Sequence, residues 1–117
     1  PLYDRPPLAA WGKDHATLLG DAAHPMLPFI AQGAAAAIED ALVLARHLQG
    51  AEEIAPRLRA YETARAQRTA QLQAASLANN RNYHMNGMQR FARDLLLPVI
   101  GGERLIARND WVYGYKI

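Results

Sequence analysis

The sequence predicts a mainly α chain, with one or two strands followed by about three helices. Three observations carry that expectation. One short apolar run of strand character, His15 to Leu19, halts at Gly20-Asp21. From Ala34 onward, apolar residues recur at helical rather than alternating spacing. Glycine and proline then cut the remainder into helix-sized pieces at Gly50, Pro56, Gly87, Pro98 and Gly101-Gly102.

Residues 1–14 form a Pro-rich connector in which Pro6-Pro7 forbids helix and Trp11 serves as a hydrophobic anchor. A buried strand over 15–20 follows and delivers the Asp21 carboxylate at its end. The next loop holds Pro25 and Pro28 among three large apolar side chains, Met26, Leu27 and Phe29. A helix over 34–49 places Ile38, Ala41, Leu42, Ala45 and Leu48 on one stripe, expected to be its buried face, and Gly50 stops it. Pro56 suits the first turn of a second helix, which continues to the mid-70s or beyond through Leu58, Tyr61, Ala64, Arg68, Leu72 and Ala75. Four Asn between 79 and 87 mark a break before a third helix over 88–97, ended by Pro98. Another turn is expected over 103–108, then an aromatic tail from Trp111 to Ile117. The expected division is a connector (1–14), a strand–loop–helix unit (15–50) and a helical region (51–117).

A chain of 117 residues allows one domain and could bury about two-thirds of its unfolded surface. Half the residues are hydrophobic, but many are Ala and only two Phe and two Trp occur, so the core is thin in large side chains. With no cysteine, disulfides and thiolate metal sites are excluded, and a cytoplasmic location is expected. No apolar run approaches the ~20 residues that span a bilayer, and the N-terminus lacks a signal-peptide layout. It begins with Pro instead of Met, which fits a piece of something larger. Charge is uneven: residues 1–56 hold three Arg/Lys against seven Asp/Glu, and residues 57–117 hold ten against four. Those arginines sit at helical spacings without interleaved aromatics, so a solvated helix face is expected and a nucleic-acid partner is not.

The informative stretch is Leu18 to Ala41. A strand, an acidic corner, a proline-stiffened apolar loop and a helix start without bulky side chains combine into a ligand site. The N–H groups of a helix start carry roughly +0.5 charge and suit an anion or a polarised carbonyl. Small Ala side chains let a flat ligand approach that backbone. His24 reads as a structural hydrogen-bonding residue. Asp21 with His24 lacks a third ligand at sensible spacing, so no metal is expected. Glu39-Asp40 and Arg65 with Arg68 fall where antiparallel helices would pair them, a packing role.

Gly20-Asp21-Ala22-Ala23-His24-Pro25, Pro28, Gln32-Gly33 and Glu39-Asp40-Ala41 together resemble the second FAD-binding motif of class A flavoprotein monooxygenases. The likeness is to salicylate- and hydroxybenzoate-hydroxylase-like members, and it continues more weakly through Tyr61-Glu62 and Arg65 to Trp111–Tyr115. Members of that family are several times longer and open on a Gly-x-Gly-x-x-Gly turn that binds the FAD pyrophosphate. These 117 residues contain no such triplet, so the chain resembles the C-terminal part of such an enzyme, with an α/β Rossmann-like FAD-binding fold.

The resemblance implies FAD as cofactor, NADH or NADPH as electron donor, and insertion of one oxygen into a small aromatic substrate. It implies cofactor contacts from Gly20, Asp21, Pro28, Gln32, Gly33, Ala34 and Ala35, with Asp21 on a ribose or ribityl hydroxyl. Pro28 and Gln32 are the candidate catalytic positions, Gln32 either reaching the substrate phenol or bracing the loop. Many members have Gly where this chain has Ala31. A flavin oxidase or epoxidase of the same fold, or a non-catalytic helical piece that oligomerises, are the alternatives. The isolated chain is expected to bind FAD weakly and to self-associate through its 15–20 segment.

Overall fold

The run expected to be a lone buried strand is one arm of a small hairpin. The computed structural model describes residues 4–50, 53–84, 86–100, 107 and 109–115. Strand β1 (Gly12–Lys13) pairs antiparallel with β2 (Ala16–Thr17), Gly12 opposite Thr17 and Lys13 opposite Ala16. Asp14 makes the turn at φ 52°, a left-handed conformation that Asp tolerates better than most side chains. The Leu18 N–H donates to the Trp11 carbonyl at 3.0 Å and prolongs the pairing. Ala16 and Leu18 are exposed and Thr17 is half-buried, so the expectation of a buried strand over 15–20 is corrected. The partner strand is the immediately preceding segment, and the ribbon meets the helix over 54–83 through polar contacts, Thr17 with Glu62 and the Ala16 carbonyl with Arg59.

Two 3-10 turns, Gly20–Ala22 and Pro28–Ile30, flank the loop. Helix α1 runs Gly33–His47, α2 Ile54–Tyr83, α3 Gly87–Ile100, and a single turn, α4, covers Asp110–Tyr113. The described residues are thus mostly helical, with two short strands. Asn79, Asn80 and Asn82 lie inside α2, and the break expected between Asn79 and Gly87 falls after Tyr83, before Gly87 (φ +60°) opens α3. Helix α3 passes through Pro98 instead of stopping there. In the last turn a proline forfeits only the bond to the Asp94 carbonyl, a tolerable loss. Most of the turn expected over 103–108 lies outside the described residues.

The largest correction concerns the face of α1. Ile38 is 63% exposed and Leu42 49%, while Ala36 and Asp40 are buried and Val43, Leu44 and His47 half-buried. The inward face lies about 200° from Ile38, two residues away. Pairing with α2 decides this orientation. Helix α2 presents buried arginines, and a buried charge is tolerated only when paired, so the acidic edge of α1 turns inward. The arginines correct a second expectation, since Arg57, Arg65 and Arg68 are buried and do not form a solvated face. Arg57 donates to the Leu48 and Gly50 carbonyls at 3.1 and 2.9 Å, satisfying the C-terminal end of α1.

Two small apolar clusters sit on either side of this polar seam. One holds Ile30, Ala36, Leu72 and Val112, the other Trp11, Ala23 and Tyr61. Trp11 is the anchor expected, 5.8 Å from the Tyr61 ring in an edge-on contact. The molecule is long, 58 × 31 × 18 Å, and its radius of gyration of 17.4 Å exceeds the about 13 Å of a compact chain this size.

Candidate functional site

Gly20 begins the site with a positive φ of +59°. The backbone angle favours glycine, and a Cβ there would meet the Ala37 side chain at a tight 3.2 Å. This close approach seats the 20–22 turn against the first turns of α1, whose residues 34–37 are all Ala. The result is an open cleft of about 600 Å³ lined by Gly20, Asp21, Met26, Pro28, Gly33 and Ala34, with neighbours from both walls.

The expected site residues divide. Gly20, Asp21, Pro28, Gly33 and Ala34 come together on the cleft lining, whereas Gln32 and Ala35 lie off it. Asp21 is exposed, at the mouth and not at the end of a buried strand, and its carboxylate bonds to no described residue. Gln32 is buried as the N-cap of α1, where its carbonyl accepts from the Ala36 N–H at 2.8 Å. No side chain caps that helix start, so its first N–H groups remain available beside Asp21. Ala31 is held left-handed at φ 51°, a conformation that costs a non-Gly residue about 1–2 kcal/mol.

Behind the cleft, Asp40 is the hub. Its Oδ2 accepts from the Gly20 N–H at 3.0 Å and lies 2.5 Å from His24 Nε2, and its Oδ1 accepts from Arg65 Nε at 2.7 Å. Burial, the largest single influence, pushes the Asp40 carboxyl up. The hydrogen bonds from His24, Arg65 and Gly20 together outweigh it and hold the group below the usual carboxylate range. An ionised carboxylate only accepts, so His24 donates through Nε2. Burial likewise disfavours the Arg65 cation, but Asp40 and Glu39 overcome it and keep its pKa raised.

Glu39 extends the network. Arg65 Nη2 donates to its Oε2 at 2.7 Å and Arg68 Nη2 to its Oε1 at 3.3 Å. Arg68 in turn donates to the Trp111 and Val112 carbonyls at 2.6 and 3.0 Å, and lies 4.2 Å from the Tyr115 ring centroid. The pairing of Glu39-Asp40 with Arg65 and Arg68 is as expected. Its reach to the Gly20 amide, through which the buried hub touches the cleft, was not expected. Spacing along the chain carries no signal of it.

Comparison with known proteins bears on these residues directly. The model of the FAD binding domain family matches residues 7–76. A 3-hydroxybenzoate 6-hydroxylase from Klebsiella oxytoca is 40% identical over 114 residues, covering 97% of this chain and 29% of the relative. A 3-amino-4-hydroxybenzoate 2-monooxygenase from Streptomyces platensis is 40% identical over 119 residues, covering 98% and 29%. A 6-hydroxynicotinate 3-monooxygenase from Bordetella bronchiseptica is 47% identical over 81 residues, covering 68% and 21%. The chain spans about 29% of the length of the first two of these curated relatives. The cleft lining, its Asp40 hub and the two arginines all fall within residues 7–76, and on that match the chain belongs to the FAD-binding domain family.

Proposed function

We propose that this chain supplies one wall of the flavin site in an FAD-dependent monooxygenase that hydroxylates a small aromatic substrate, with NADH or NADPH as donor. The observation that carries the reading is the cleft itself: an unpartnered Asp21 carboxylate facing an uncapped helix start across a floor of glycine and alanine. Those groups fit FAD. Asp21 would accept from a sugar or ribityl hydroxyl, and the N–H group of Ala34 at the helix start, with that of Ala35 behind the lining, would favour negative charge on the carbonyl edge of the ring. Gly20 and Gly33 would admit the ring plane, Pro28 would form part of a dry wall, and Gln32 would brace the helix start. When bound, FAD takes up reducing equivalents and activates oxygen, and the protein's part is to orient and enclose it. The names of the relatives, which act on hydroxybenzoates and a hydroxynicotinate, favour an aromatic substrate bearing a ring hydroxyl.

In this reading residues 1–14 enter from a substrate-binding region, 15–50 belong to a Rossmann-like FAD-binding fold, and 51–117 form its C-terminal helical region. The exposed Ile38, Leu42, Met88 and Phe91 faces support self-association of the 117 residues taken alone, measurable by sedimentation. Because residues 16–17 already pair with 12–13, association would use these helical faces in place of an open strand. Asp21→Ala tests the site. Loss of one charge-assisted hydrogen bond is expected to weaken FAD binding roughly ten- to hundredfold in the full-length protein. Unchanged flavin content after dialysis would count against the assignment.

A further inference from the structure

Helix α2 carries a row of buried polar side chains that do not line the cleft yet hold its wall. Tyr61, Arg65, Gln73 and Ser76 fall within an arc of about 120° on one helix face. Tyr61 donates to the Leu18 carbonyl at 3.4 Å, and Arg65 grips the Asp40 that receives the Gly20 N–H. Further along, Gln73 Nε2 donates to the Pro25 carbonyl at 2.8 Å, and Ser76 Oγ donates to the Leu27 carbonyl. Arg5, itself tied to Gln73 through its carbonyl at 3.3 Å, donates to the Ala22 and Ala23 carbonyls. The loop between the hairpin and α1 is thus fastened by its main chain to one side of α2.

Gln73 and Ser76 are both buried, and neither touches the cleft. The backbone they hold brackets Met26 and Leu27 and leads directly into Pro28, all three of which face the cleft. Ser76 has little else to do: its hydroxyl is fully buried, and a loop carbonyl accepts its proton. We infer that Gln73 and Ser76 are positioning residues, setting the Pro25–Pro28 wall against the flavin through the Pro25 and Leu27 carbonyls. This rests on the reading of the cleft as a flavin site. Without either donor the loop keeps its sequence but loses a fixed distance to α2, and the wall recedes or tilts relative to the ring plane.

The test uses the flavin-loaded full-length protein with Ser76→Ala and Gln73→Met, changes that remove a donor with little change of shape. Thr63→Ala is the control: Thr63 is exposed on α2 and bonds only back to Arg59 of its own helix. The FAD dissociation constant, from flavin-fluorescence titration, is expected to rise about two- to tenfold in each test variant, the range one hydrogen bond spans. The visible flavin absorption band should shift in both, and Thr63→Ala should change neither reading. A lowered melting temperature with dissociation constant and flavin spectrum both unchanged would mean that these side chains only hold the fold, and would overturn the inference alone. A wild-type protein that binds no FAD would overturn both the inference and the flavin reading.

Discussion

Asp40→Ala is expected to destabilise the protein by about 3–5 kcal/mol, the range seen when one partner of a buried ion pair is removed. The loss would not measure the strength of the pairs. It would measure the penalty of leaving buried Arg65 with Glu39 alone of its two carboxylates, and the Gly20 N–H and His24 unanswered as well. Asp40→Ala combined with Arg65→Met should therefore cost less than the two single changes summed, because the double variant strands no charge. Chemical denaturation of all three variants checks this, and strict additivity would refute the coupling. The same geometry gives a pH dependence. Asp40 has a folded-state pKa below its unfolded one, so its stabilisation is complete above about pH 4 and is lost as pH falls through the folded value. Melting temperatures should fall on acidification in the wild type and fall less in Asp40→Asn. His24, Arg65, Glu39 and Tyr61 surround the group, and the comparison with Asp40→Asn separates its share from theirs.

Tyr61→Ala is expected to cost a similar 3–5 kcal/mol, as large aromatic truncations in cores do. Tyr61 is fully buried, packs edge-on against Trp11 and joins Ala23 in one of only two apolar clusters among the described residues. With so few large side chains, the cavity has little nearby that can collapse into it. Burial, followed by the nearby Asp40 charge, pushes the Tyr61 hydroxyl up, so it stays protonated and donates to Leu18 over the whole ordinary pH range. Tyr61→Phe should consequently cost only about 0.5–1.5 kcal/mol, the net worth of that hydrogen bond. Equal losses from the two substitutions would show that the hydroxyl, and not the ring, dominates.

Helix positions were legible because period and punctuation are local properties: α1 and α2 start and stop near Gly33, Gly50 and Pro56. The acid–arginine register was legible for a related reason. A short connection forces two helices antiparallel, and Glu39-Asp40 then falls opposite Arg65 and Arg68. The hairpin was not legible, since its turn at Asp14-His15 carries no glycine and its strands are two residues long. The buried face of α1 was misread because an apolar stripe is the stronger signal when charges are counted singly. Asp40 buries only because three partners meet it at once. Five of the seven expected site residues reach the cleft, but the donors on Gln73 and Ser76 depend on the loop's path, which spacing along the chain does not encode.

Fastening by carbonyl has a consequence for how such a site can diversify. Every residue offers a carbonyl, proline included, so Gln73 and Ser76 read the course of the chain and are blind to which side chains it bears. On this inference, exchanging Met26 or Leu27 for another apolar residue would recontour the cavity and still leave the Pro25 and Leu27 carbonyls to accept from α2. The converse exchange would not be free, because altering Gln73 or Ser76 would release the Pro25–Leu27 main chain and the side chains it carries. Variation in what the cleft accommodates should therefore collect on the loop, and constancy on the face of a helix that never meets the ligand.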